Sequence, residues 1–199
     1  DGTGASEAVF DGGAWALKNS FAYAAYYPFS AANYTIPENR IPVTYVGQTQ
    51  TGNNTFTHFS TYDYLASKAE HPDFAGHINI KMKHMGCMFI LKLTLPKAGS
   101  YTKLTLTSDN GKFGIQGSLD LTGEVPSITP TSTSETVTIN LKEVTLVKDN
   151  EVLTVNMLLA PTDLSGSTIT VKVIDNKGNT YATANDQPIV GTKYAANTS

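Results

Sequence analysis

HINIKMKHMGCMFILKLTLP, His77 to Pro96, holds two alternating runs joined by Gly86. In the first, Ile78, Ile80 and Met82 are apolar while Asn79, Lys81 and Lys83 are polar. In the second, Cys87, Phe89, Leu91, Leu93 and Leu95 share a parity opposed by Met88, Ile90, Lys92 and Thr94. Successive strand side chains point to opposite faces, so each run offers one apolar face to a core. The inward set is even-numbered before Gly86 and odd-numbered after it, a phase change that needs a bulge or tight bend. Burying the five inward side chains of the second run is worth roughly 8–15 kcal/mol, an upper bound from area. The stretch is read as the central strand of a sheet.

The bulk numbers fit that reading and exclude several classes. At 199 residues, 40% hydrophobic and 16% charged, the chain can bury a real core and is neither disordered nor membrane-spanning in composition. A net charge of −3 and a single arginine, Arg40, argue against a nucleic-acid partner. The longest apolar run, Cys87 to Leu91, is far short of the roughly 20 residues that span a bilayer as a helix. Cys87 is the only cysteine, so no disulfide frames the chain. The sequence opens at Asp1 in DGTGASE, which reads as a processed or truncated product.

Outward from the central stretch, FAYAAYYP places Phe21, Tyr23, Ala25 and Tyr27 on one face of a strand closed by Pro28. Ile41, Val43 and Tyr45 make another strand, with Pro42 marking an edge or a strand start. Residues 47–57 read as a polar loop. STYDYLASKAE, Ser60 to Glu70, has a capping-box form in Ser60 and Asp63 and reads as the chain's helix, closed by Pro72. After it, alternation returns in segment after segment. Asp109-Asn110-Gly111 carries hairpin-turn chemistry, and residues 122–135 read as a Pro-containing loop. Leu153, Val155, Met157 and Leu159 form the second most apolar strand, and Asp175-Asn176-Lys177-Gly178 is a further turn. Strands recurring every 8–12 residues without βαβ alternation indicate an antiparallel sandwich or barrel. A Tyr/Ala-rich front gives way to regular β sequence near residues 70–76, which sets an expected boundary between domains 1–75 and 76–199.

No catalytic constellation emerges from the sequence. There is no G-x-S-x-G elbow, phosphate loop or H-E-x-x-H helix. His58, His71, His77 and His84 lack metal-ligand spacing, and no metal or cofactor is expected. His84 shares the inward parity of its run and reads as a partly buried structural histidine. Cys87 reads as a core residue. The cluster Phe21, Tyr23, Tyr26, Tyr27, Phe29 and Tyr34 reads first as core or interface. Tyr26 and Tyr34 are its candidates for stacking on a sugar ring.

Several patterns, in order, resemble the fimbrillins and fimbrillin-like lipoproteins of Bacteroidales type V pili. FAYAAYYP, Phe21 to Pro28, is similar to the family's F-x-A-Y-Y-P segment, and YDYLAS, Tyr62 to Ser67, to its S-D-L-M-x-A stretch. INIKMKHMGCMFILKL, Ile78 to Leu93, resembles its strand with a histidine followed by an apolar strand. MLLAPTDLSGSTITVKVIDNKGNTY, Met157 to Tyr181, followed by GTKY at 191–194, resembles its closing pattern. The resemblance implies an all-β fold of two antiparallel sandwich domains of transthyretin- or immunoglobulin-like Greek-key type, with one short helix. It also implies an exported lipoprotein precursor, lipid-anchored at that stage only, and a place at the cell surface, in a fimbria or the outer membrane.

The implied role is non-enzymatic: pilus subunit or tip adhesin, joined to other subunits by strand exchange and gripping a host or bacterial ligand. The alternative is a surface carbohydrate-binding module. Family subunits polymerise after cleavage at an arginine; Arg40 lies well inside this chain, so a removed strand would have preceded Asp1. A sandwich lacking a strand exposes apolar side chains and unpaired backbone that a neighbour's extended segment completes. The donor candidate is the tail from Ile189 to Ser199, through Ile189, Val190, Tyr194 and Ala196.

Overall fold

The computed structural model describes residues 23–69, 80–182, 187–188 and 193–194. Its first strands are β1 (Tyr23–Tyr27), β2 (Ile41–Thr44), β3 (Thr49–Thr51), β4 (Leu65–Ala69), β5 (Lys83–His84), β6 (Cys87–Leu95), β7 (Gly99–Ser108) and β8 (Phe113–Asp120). Then come β9 (Ser127–Ser134), β10 (Thr136–Leu146), β11 (Glu151–Leu159), β12 (Thr162–Asp163), β13 (Thr168–Asp175), β14 (Thr180–Ala182), β15 (Gln187–Pro188) and β16 (Lys193–Tyr194). A 3-10 turn at Ala31–Asn33 and one helical turn, α1 (Phe59–Tyr62), interrupt them. The chain is all-β, in antiparallel sheets that stack as a sandwich; β3, which runs parallel to β10, is the exception.

The largest sheet has the order β14-β13-β7-β10-β3, with β15 also on β13. It packs on the β11–β6 pair across a core that includes Leu104, Leu106, Ile139, Val171 and Val173, met by Leu153, Val155, Met157 and Leu159 of β11. A second core joins the β2-β8-β9 sheet to β4, through Ile41, Val43, Leu119, Ile128 and Ala66, and it takes in Leu158 and Ala160. Odd residues of β11 therefore serve one core and even residues near its end the other. Every residue from Leu153 to Leu159 is buried.

That burial corrects the expectation for the His77–Pro96 stretch. Its second run is a strand, β6, with the expected parity inward, but among the described residues its one strand neighbour is β11. Phe89, Leu91 and Leu93 are half-buried, and Lys92 and Thr94 point outward. Clean alternation marks a strand with one wet face, whereas a strand covered on both faces reads as a nearly continuous apolar run, as β11 does.

Gly86 is a bend between sheets, but the expected phase change across it is not seen: Ile80 and His84 are exposed, and the residue buried just before the bend is Met85, of the same parity as Cys87. β5 pairs with β4, whereas β6 belongs with β11. A Cβ at Gly86 would sit 2.9 Å from the Tyr45 hydroxyl and 3.1 Å from the Leu159 carbonyl, so close approach requires glycine here.

The helix expected over Ser60–Glu70 reduces to α1, with no side-chain cap, and Leu65–Ala69 is strand β4. Its pairing with β1 from Tyr27↔Leu65 to Tyr23↔Ala69, and the burial of Ala66, outweigh a helix propensity worth tenths of a kcal/mol per residue. Residues 127–134, expected within a loop, are β9, paired along β8. Asp109-Asn110-Gly111 is not a hairpin, because β7 and β8 lie in different sheets. The Asp109 carboxylate instead accepts from the Thr168 N–H (2.8 Å) and hydroxyl (2.7 Å), tying the crossover to β13. The turn at Asp175–Gly178 does close a hairpin, β13–β14.

The expected division at residues 75/76 does not fall between sheets. β2 pairs with β8 (Ile41↔Leu119) and β3 with β10 (Leu141↔Gln50), and the second core mixes residues from both sides of that boundary.

Candidate functional site

A residue in an antiparallel strand sends its N–H and C=O to one side, and its neighbours send theirs to the other. On β11 the even residues face away from β6, and from the Val152 carbonyl through Leu158 their backbone groups have side-chain partners. Leu158 donates to Gln48 Oε1 (2.8 Å), and its carbonyl accepts from Gln48 Nε2 (2.6 Å). Asn156 donates to Gln50 Oε1 (2.8 Å), and its carbonyl accepts from His58 Nε2 (3.0 Å). Thr154 donates to Asn53 Oδ1 (2.8 Å), and its carbonyl accepts from Gln50 Nε2 (2.9 Å). The Val152 carbonyl accepts from Asn53 Nδ2 (3.0 Å).

The odd residues of β11 accordingly face β6, opposite Leu95, Leu93, Leu91, Phe89 and Cys87. On β6 the backbone groups of Met88, Ile90, Lys92 and Thr94 then point to the far edge, where no strand lies among the described residues. The Cys87–Leu91 end of that edge is apolar: Met88 and Ile90 are about half exposed (53% and 49%), and Leu91 and Leu93 are half-buried at the rim of the core, while Lys92 and Thr94 make its other end polar. Such an edge is open to strand pairing. Two other edges are blunted: β2 carries Pro42 and β9 carries Pro130.

The sequence places Gln48, Gln50 and Asn53 in the polar loop expected over residues 47–57 and gives His58 no role. The Q-T-Q spacing was the available signal, since period two sends both amides to one face.

His58 is buried, edge-on to Phe59 at 4.8 Å. Its Nε2 must carry the hydrogen, because a carbonyl accepts from it, and its Nδ1 is buried without a partner. Burial holds its pKa below the ordinary 6.5, the bond to Asn156 opposing this only in part. A lowered folded-state pKa means a stability contribution that is complete above about pH 6.5 and is lost as pH falls through the folded value. Melts at pH 7.5 and pH 5 should show the wild type losing more Tm on acidification than His58→Gln; equal losses would contradict the role.

His84 departs from expectation: its side chain is exposed (62%) rather than core-facing, and Nδ1 sits 2.8 Å from Asp63 Oδ2. β5 is a two-residue strand, too short to turn that ring toward a core. Cys87 is buried, as expected, and burial pushes its thiol up to about 11, so it is protonated at neutral pH. Among the described residues no three His, Cys, Asp or Glu side chains converge on one point.

Tyr26 is half-buried against the second core, while Tyr34, just after the 3-10 turn, is 89% exposed; they do not form one platform. Of the donor candidates, Tyr194 lies in β16, opposite Thr162 of β12. Ile189, Val190 and Ala196 lie outside the described residues.

No family model matches the chain, and no curated protein sequence does either. Its fold is similar to the crystal structure of a protein from Bacteroides ovatus, provisionally named a cell adhesion protein. The TM-score is 0.61 at 21% identity over 95% of this chain. The match spans 66% of that protein's length. A likeness at this identity is one of fold.

Proposed function

We propose that this chain is a structural subunit or tip adhesin of a cell-surface fimbria, exported as a lipoprotein precursor and assembling by β-strand addition. The observation that carries the proposal is the outer edge of β6, which has no strand partner among the described residues, with exposed Met88 and Ile90 and half-buried Leu91 and Leu93 beside it. Its occupant is an extended segment of a second copy, which would complete the edge's backbone hydrogen bonds and cover the rim of the core. The order of motifs shared with the fimbrillins agrees with this reading. So does the fold likeness to a protein named for cell adhesion.

The donor is the tail containing Ile189, Val190, Tyr194 and Ala196, which gives up the pairing of Tyr194 with Thr162 of its own chain to add to the next subunit. The full chain is expected to form linear multimers by size-exclusion chromatography and electron microscopy, and the chain lacking residues 190–199 to stay monomeric. Equal multimerisation of both would remove the tail as donor.

Phe29 (74% exposed) and Tyr34 (89%) favour a second reading, a carbohydrate-binding surface module. A glycan array separates the two. Sugar binding lost in Tyr34→Ala supports the module, and an array without a hit removes it.

A further inference from the structure

The outer edge of β11 is occupied by side chains that do the work of a strand. In Gln48 and Gln50 the amide oxygen accepts a β11 N–H, and the amide nitrogen donates to a β11 carbonyl. The spare N–H of each amide is also used, by the Tyr45 carbonyl (2.8 Å) and the Gly52 carbonyl (2.9 Å). Asn53 repeats the two-way contact one step along, at Thr154 and Val152. Gln48 and Gln50 are 1% and 0% exposed, so these bonds form away from water, where an unmade one is costly.

A backbone strand in this place would satisfy β11 but would present a fresh row of N–H and C=O groups on its own far side. The amides do not. Their backbones are committed to β10, where Asn140 donates to the Gln48 carbonyl (3.0 Å) and Gly52 donates to the Lys142 carbonyl (2.8 Å). Residues 48–53 thus cap β11 with side chains, and the backbone that faces away from β10 is cut down to Thr49 and Thr51, where the Thr51 carbonyl is taken by the Thr55 hydroxyl (2.7 Å).

We propose that the ladder of Gln48, Gln50 and Asn53 is an edge guard that closes β11 to other copies of the chain and so removes it as a competitor of β6 for strand addition. The direction of assembly rests on the reading of β6 given above; the closure of β11 stands independently of it. Without the guard, the strand buried in both cores would offer a second acceptor edge, and a subunit with two acceptors branches or aggregates instead of forming a line.

The test combines Gln48→Leu and Gln50→Leu with Ile90→Pro, which blocks the β6 edge. Ile90→Pro alone should remain monomeric in light scattering. The triple variant should associate, and the Asn156 and Leu158 amides, which lose their partners in Gln50 and Gln48, should regain hydrogen-exchange protection in the associated species. A triple variant that keeps its near-UV circular dichroism and stays monomeric overturns the guard.

If the triple variant does not fold, the wild-type monomer decides. Its Thr154, Asn156 and Leu158 amides should exchange on the order of a hundredfold more slowly than those of Met88 and Ile90. Similar rates would overturn the guard. Assembly by Ile90→Pro alone would contradict the β6 reading, leaving the guard to be judged on those rates.

Discussion

Leu153→Ala is expected to lower the unfolding free energy by about 3–5 kcal/mol, and Leu93→Ala, the same change at its cross-strand partner, by about 1–2 kcal/mol. The two residues face each other in the β11–β6 register and lose the same atoms. They differ in surroundings: Leu153 is 0% exposed, within the first core, whereas Leu93 is half-buried at its rim. A cavity in the middle of close-packed side chains cannot collapse, while one at a rim fills with water or a neighbouring side chain. Urea unfolding monitored by fluorescence measures both. A larger loss at Leu93 would mean that β6, not β11, anchors the fold.

The proline pair at positions 90 and 91 carries the largest expected effect on assembly. Ile90 sends its N–H to the open edge, so Ile90→Pro removes no hydrogen bond to β11 and should cost less than about 1 kcal/mol of stability. It should nevertheless abolish multimers, because the new ring stands where a donor strand must dock and leaves that strand one carbonyl unpaired. Leu91 faces β11 opposite Val155, so Leu91→Pro breaks a ladder bond and should cost about 3 kcal/mol or more. Adjacent residues with opposite outcomes separate a blocked edge from a damaged fold. If both variants assemble, or if both merely unfold, the edge assignment is mistaken.

What the sequence revealed and what it hid follow from the range of the forces involved. The alternation of Cys87 to Leu95 made β6 and its inward face legible, because the period of a strand is written in consecutive residues. The rank of β6 was not legible, since the strand neighbours that decide centre from edge lie some 60 residues away. The order of importance was inverted for the same reason: Thr154 and Asn156 made β11 look less apolar, although both are buried and hydrogen-bonded.

The Ser60–Glu70 helix failed where local chemistry met a tertiary competitor. A capping pattern fixes only one turn, and β1 supplied a partner for the remainder. The polar loop at 47–57 failed differently. Its amides are polar because they replace a strand's backbone, a role that composition scores as solvent exposure. Tyr26 and Tyr34 separated for want of a shared scaffold, one in β1 and the other beyond the 3-10 turn.

Hydrogen exchange at Met88, Ile90, Lys92 and Thr94, compared between monomer and multimer, tests the central claim most directly. Strand addition at β6 expects these amides to exchange freely in the monomer and to become protected in the multimer together, with Thr154, Asn156 and Leu158 protected in both states. Multimers whose Met88–Thr94 edge still exchanges at the monomer's rate would show that the subunits join elsewhere.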